Sequence, residues 1–341
     1  MTDKLLYYPY INVPNNVWSI RSMLYWDSVS AIVPPIYRDN PSRFEQEMYQ
    51  MVVEGLVKQV FPFEYISQIP NFDNAFLELI NSQRHNIDKK RQYFQQGGKT
   101  LLHTQKFGSD ILQKLVDLGI AKRDRDSWEW YHVEITTANI FMKYLATAIS
   151  IAGNFTPATD KIDKIRLPYS KKLSIVGGRS FTYEKITKTQ EIRGQLLNDL
   201  MPYPHPYDLS FNKLRRFKDR NYDQLKRFRN QIEQIIIEIS NIKNKEDREN
   251  YYCLKIEEIT DQKEQISAKL NESNFNHIVF GTIFGLVSGT IGFASGNTPL
   301  GIFGLGNSIY HAFQGYNRRD LLTRNFAYLA LIDKNIPKIE L

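Results

Sequence analysis

Residues 5–33 read LLYYPYINVPNNVWSIRSMLYWDSVSAIV, and this stretch sets the architecture. Leu5 to Ile11 is a short apolar, aromatic run with the character of a strand. Pro9 within it predicts an edge position or an early bulge, because proline gives a sheet no ladder donor. Asn15 and Asn16 can cap a helix whose inner side carries Trp18, the stem of Arg21, Leu24 and Tyr25. Ser30 to Val33 is a second apolar strand, stopped by Pro34-Pro35. Strand, helix and strand in so short a span make a β-α-β unit, which pairs its strands in parallel through a right-handed crossover.

Outward from this unit the pattern is mostly helical. Two helical periods run from Pro41 to Asn81, the first with Phe44, Met48, Met51, Val52 and Leu56 inward. Asp110 to Leu118 is a helix ended by Gly119. Trp128 to Ile135 alternates as a strand, Thr137 to Ile151 is a strongly apolar helix, and Tyr169 to Glu184 is loop-rich. Met201-Pro-Tyr-Pro-His-Pro206 is an extended elbow, and the main domain boundary is expected there. Beyond it Leu225, Phe228, Ile232, Ile235, Ile239 and Ile242 alternate three and four apart, a heptad seam. Tyr252, Ile256, Ile259, Ile266 and Leu270 continue it. The polar run Asn241 to Asn250 predicts a turn and an antiparallel pair rather than one long helix. Asn325 to Ile332 is apolar enough to return to the core as a strand or short helix.

The expected class is α+β, mostly α: a small N-terminal β-α-β sheet with surrounding helices, then a long helical pair and a glycine-rich apolar hairpin. The expected segments are 1–200, 207–272, 273–317 and 318–341. A chain of 341 residues is too long for one simple core. The single cysteine, Cys253, excludes an internal disulfide and points to a reducing cytosol. Met1 to Tyr10 lacks the basic and apolar regions of a signal peptide.

Tyr7-Tyr8-Pro9-Tyr10-Ile11, Trp18, Leu24-Tyr25-Trp26-Asp27 and Ile32-Val33-Pro34 together resemble the opening of a large bacterial family of unknown function. The likeness continues through Gly119-Ile120-Ala121, Trp130-Tyr131-His132-Val133-Glu134, Met142-Lys143-Tyr144-Leu145-Ala146 and Pro157-Ala158-Thr159-Asp160. It resumes at Leu200-Met201-Pro202-Tyr203-Pro204, Arg216-Phe217 and Arg227-Phe228-Arg229. The resemblance covers roughly residues 5 to 230. It implies a fold and carries over no catalytic residues, because the family has no settled activity.

Ser273 to Asn317 contains no Lys, Arg, Asp or Glu and holds nine of the chain's eighteen glycines. Gly281, Gly285 and Gly289 recur one helical turn apart beside Phe280, Phe284 and Phe293, which makes a groove for close backbone approach. His277 to Gly296 would form a helix ~30 Å long, enough to cross a hydrocarbon core. Its nine strongly apolar residues favour insertion by roughly 4 kcal/mol, and its glycines and hydroxyls offset most of that. After Asn297-Thr298-Pro299, Leu300 to Phe313 is too short to span. No other segment approaches spanning length. Three fates compete for this hairpin: burial in the chain's own core, conditional membrane insertion, or an interface between copies.

Gln96-Gly97-Gly98-Lys99-Thr100 suggests a phosphate loop, but that pattern needs glycine where Tyr93 stands. The histidines show no i,i+4 pair and no companion cysteines, so no metal site or other cofactor is expected. No Gly-x-Ser-x-Gly elbow occurs. Asp27 and Glu134 are the carboxylates placed where a cleft could form, although neither has a recognisable spacing to a second acid or a lysine.

Between Lys213 and Arg229, eight basic residues stand against Asp219 and Asp223, a local charge of +6 within a chain of +7. Lys213, Arg216, Arg220, Arg227 and Arg229 are the expected anion-binding set, with Leu214, Phe217, Leu225 and Phe228 turned inward. Their partner is an anionic membrane or a nucleic acid. A protein partner at the N-terminal domain and self-association are further expectations. The functional expectation is a non-enzymatic bacterial effector or defence-type protein, cytoplasmic until activated, that docks on an anionic surface and exposes the apolar hairpin to a membrane. The alternative is a soluble nucleic-acid-binding or assembly module with the hairpin as core.

Overall fold

The computed structural model describes residues 4–82, 86–160, 173–175, 179–181, 183–272 and 322–338. It is α+β and mostly α, with a small parallel sheet at its N-terminal end. The chain divides into two compact units that interleave along the sequence. The first takes Met1–Lys188, Tyr203–Asp219 and Pro337–Leu341; the second takes Thr189–Pro202 and Arg220–Ile336. The elbow at Met201–Pro206 therefore holds one of four junctions, where the sequence suggested a single boundary.

In the first unit, β1 (Lys4–Tyr7) leads into α1 (Val17–Tyr25) and β2 (Ser28–Ile32). Asn16 caps α1: its side chain accepts from the Ser19 amide at 2.9 Å, and Ser19 Oγ accepts from the Asn16 amide at 3.1 Å. This reciprocal pair is what an asparagine ahead of an apolar period predicts. After α2 (Gln46–Val53), Gly55 turns with φ +69° into β3 (Val57–Val60). A later strand, β7 (Thr156–Ala158), completes a wholly parallel sheet of order β3-β2-β1-β7.

The edge position suggested by Pro9 is thus wrong. β1 is internal, paired on both sides, and it ends at Tyr7 before the proline could interrupt a ladder. The strand that covers it arrives some 150 residues later, which local pattern does not show.

Helices α3 (Phe72–Ser82) and α4 (Ile87–Gln95) lead through a Gly97-Gly98 turn to β4 (Lys99–His103). Then α5 (Ser109–Asp117) ends at Gly119, which takes φ +69° as the sequence indicated. β5 (Ala121–Arg123) and β6 (Trp130–Glu134) pair antiparallel with β4 in the order β4-β6-β5. Helix α6 (Ile135–Gly153) follows at once and stops at Asn154, with φ +54°.

By length and composition α6 could cross a membrane, against the expectation that no such segment exists outside the hairpin. It is instead the core helix of this unit. Phe141, Leu145, Ala148 and Ile149 are fully buried along it. Phe141 meets Phe76 edge-on at 5.2 Å and stacks on Phe107 at 4.2 Å, and Tyr144 donates to the Phe72 carbonyl at 2.7 Å. These buried rings add to the apolar driving force supplied by the aliphatic core around them. A two-stranded antiparallel pair, β8 (Leu173–Ile175) and β9 (Arg179–Phe181), lies within the stretch read as loop-rich.

Helix α7 (Tyr183–Leu200) carries the chain toward the second unit, and α8 (Phe211–Arg220) follows the elbow. The second unit is built on α9 (Tyr222–Asn241) and α10 (Lys245–Glu272). These form the helical pair that the polar interruption predicted. Their turn is braced by Asn244 Oδ1, which accepts from the Glu246 amide at 3.0 Å, and by Tyr251, which donates to Glu238 at 2.7 Å. Leu225, Phe228, Ile232, Ile235 and Ile239 are buried along α9, and Ile259 and Ile266 along α10. The return segment is helical, α11 (Ala327–Asn335). Tyr328 stacks near Phe228 at 6.0 Å, and Asp333 pairs with Lys263 at 3.3 Å.

Candidate functional sites

The basic stretch splits three ways. Lys213, Arg216 and Arg220 are exposed on α8, at positions i, i+3 and i+7, while Phe211, Leu214 and Phe217 are buried on its other side. That spacing puts the three cations in one row. None of them has a carboxylate within ion-pair distance among the described residues, and Lys226 on α9 is likewise exposed. Two other cations are spent on structure. Arg215 pairs with Asp219 at 2.9 Å and donates to the Gly55 carbonyl at 3.2 Å. Lys218 is buried and donates to the carbonyls of Trp26 and Asp27 at 2.9 and 3.3 Å.

In the second unit Arg227 is half-buried, and Arg229 is only 2 % exposed. Arg229 therefore departs from the expected anion-binding set. It sits one position past Phe228 of the seam and one turn before Glu233, which is also buried. Glu233 takes a two-pronged pair from Arg193, with distances of 2.6 and 2.7 Å. Gly281, Gly285, Gly289, Phe280, Phe284 and Phe293 of the hairpin lie outside the described residues.

Glu134 has a structural task. Its carboxylate is buried at the start of α6 and accepts from the Thr136 amide at 2.9 Å, the Thr137 amide at 2.8 Å and the Thr137 hydroxyl at 2.7 Å. This satisfies donors that the first turn of a helix leaves open and sets a negative charge at the positive end of its dipole. Glu134→Ala is expected to lower the stability of the first unit by roughly 1–2 kcal/mol, the usual worth of a cap. A denaturant titration followed by tryptophan fluorescence reads this directly, since Trp18, Trp26, Trp128 and Trp130 all belong to that unit. Neither Asp27 nor Glu134 lines the cavity described below.

A different group of residues does meet. A cavity of about 410 Å³ opens in the first unit between the end of β1, the start of α6 and the segment from β4 to Lys106. Its polar lining includes Tyr7, Glu45, His103, Lys106 and Asp160. Tyr7 donates to Asp160 at 3.0 Å, and Glu45 accepts from the Asn12 amide group at 3.0 Å. Lys106 is 2 % exposed and donates to the Pro9 carbonyl at 3.3 Å. Burial pulls its ammonium down from the ordinary lysine range to about 7.

His103 is 1 % exposed, and its Nδ1 accepts from the Gln105 amide at 3.2 Å. In the neutral ring the proton then belongs on Nε2, which has no partner among the described residues. Burial lowers this imidazole to about 4; nearby Glu129 opposes the shift, while Lys106 and Arg43 add to it. No family model, curated protein or solved structure matches the chain. Sequence reading missed this cavity because its parts come from seven separate places in the chain, and Thr104-Gln105-Lys106 has no local pattern that marks a site.

Proposed function

We propose that the protein is a non-enzymatic effector-type protein that docks on an anionic surface through Lys213, Arg216 and Arg220 and delivers the uncharged segment 273–317 to a membrane. One observation carries the docking step: three cations stand in an exposed row on a helix whose opposite side is buried, and no described carboxylate neutralises them. Rows of this kind attract phosphate groups over about a Debye length and lose that attraction as salt rises. The delivery step rests on 45 consecutive residues without a strong acid or base.

Co-sedimentation with vesicles tests the docking step. Vesicles containing phosphatidylserine are expected to bind the protein at low salt, and the triple variant K213E/R216E/R220E is expected to lose at least tenfold in affinity. Dye leakage from the same vesicles, reduced by Gly285→Leu, tests the delivery step. Equal binding to neutral vesicles, or binding untouched by charge reversal, would overturn the proposal. Salt-dependent binding to an oligonucleotide with none to vesicles would transfer the cationic row to a nucleic-acid-binding module.

A further inference from the structure

The cavity of the first unit holds more polar capacity than its own fold uses. Lys106 is a buried amine with three donor sites when charged, and among the described residues it meets one acceptor, the Pro9 carbonyl. His103 holds a buried Nε2–H with no acceptor among the described residues. Leaving such donors unmet inside a protein is costly, and native structures seldom keep them without a purpose. Both line the same space, of a size that suits a small organic molecule. Much of the remaining wall is apolar or aromatic: Tyr37, Leu102, Trp130, Ala138 and Met142.

We propose that this cavity binds a small monocarboxylate with an apolar, ring-sized body, its carboxylate held by Lys106 Nζ and His103 Nε2–H and its body laid against Trp130 and Met142. A single carboxylate can accept from both nitrogens and so satisfy both at once. The other charges in the lining limit the choice. Glu45 and Asp160 repel a doubly charged phosphate, and they suit a ligand that carries an ammonium beside its carboxylate. The shared chemistry is a carboxylate on an apolar body, whose source is either a simple aromatic acid or an aromatic α-amino acid.

Binding should also move a proton. The lysine stands close to the midpoint of its titration at neutral pH. The groups around it are His103, the Arg43–Glu129 pair beyond that ring, and Tyr7, Tyr10, Glu45 and Asp160 in the lining. An anion favours the charged amine, so the complex takes up a fraction of a proton near pH 7.

Isothermal titration of the full chain with phenylacetate, L-phenylalanine and inorganic phosphate tests the site. One equivalent of phenylacetate or of L-phenylalanine is expected to bind, with heats that depend on the buffer's ionisation enthalpy, and phosphate is expected to bind at least tenfold more weakly. L-Phenylalanine binding more tightly than phenylacetate assigns the ammonium to Glu45 and Asp160; the reverse order assigns the site to simple acids. Lys106→Met should reduce affinity at least tenfold and abolish the proton uptake. Ala138→Leu, which fills the space without touching a polar group, should block binding as well, with the fold of each variant checked by its thermal melt. No heat with either carboxylate, affinity unchanged in Lys106→Met, or phosphate binding as tightly as the acids would each overturn the proposal.

Discussion

Glu233→Leu is expected to destabilise the second unit by ~3–5 kcal/mol, the cost of removing one member of a buried ion pair. The carboxylate is 7 % exposed and holds Arg193 through two short bonds, while Arg229 lies buried one turn away on the same helix. Without Glu233, the Arg193 guanidinium loses both bonds of its pair in a place that largely excludes water. Arg193→Leu should cost a comparable amount, because it leaves the buried Glu233 carboxylate without the guanidinium that holds it through two bonds. Replacing Arg193 and Glu233 together with apolar residues should recover most of the stability, since neither charge then needs compensation. Far-UV circular dichroism reads this unit, which contains no tryptophan. A single variant as stable as the parent would show that water reaches the pair.

Lys106→Met should make the first unit more stable at pH 7, by ~1–4 kcal/mol, and should remove a pH dependence that the parent shows. The direction follows from proton counting. The amine takes up its proton near pH 7 when folded, against 10.5 for an ordinary lysine. Between those values the unfolded chain holds more protons, so the stability of the parent rises with pH. The slope reaches at most ~1.4 kcal/mol per pH unit, and the methionine variant lacks that contribution throughout the window. The gap between the curves stops shrinking only above pH 10.5, as the lysine loses its proton in the unfolded chain as well. His103 acts in the same sense at lower pH, destabilising the fold as pH falls from 6.5 toward about 4. Denaturant titrations of parent and variant at a series of pH values, followed by tryptophan fluorescence, test the difference. Parallel curves from pH 7 to pH 10 would refute it.

The parts of the fold that sequence showed are those fixed by local chemistry. Asn16 ahead of an apolar period marked the start of α1, Gly119 marked the end of α5, and a seam spaced three and four apart marked the buried side of α9. What sequence misread depended on distant partners. Pro9 suggested an edge strand because the strand that pairs with the other side of β1 comes at Thr156–Ala158. Ile135–Gly153 has the length and apolar composition of a candidate span, and packing against Phe76 and Phe107 explains why it is core.

The sites followed the same division. Helical spacing sufficed to place Lys213, Arg216 and Arg220 outward. Arg229 is adjacent in sequence to Phe228 of the apolar seam, and that position, at the seam's margin, is the local signal for its burial. Lys106 carried none, since its acceptor lies 97 residues away.

The interleaving of the two units has a consequence for how the chain comes apart. The first unit recruits Tyr203, whose ring lies 4.6 Å from the Arg21 guanidinium, and a late strand contact between Pro204 and Lys338. Lys218 and Arg215 tie the same unit from yet another segment. One scission near residue 189 would therefore not part the units cleanly: the C-terminal piece would keep the whole second unit and also carry Tyr203–Asp219 and Pro337–Leu341, which the first unit needs to stay folded. The two units are sewn by the thread itself, so cutting at a linker cannot yield a tidy pair of fragments, and gene truncations that end at the elbow remove stitches from both.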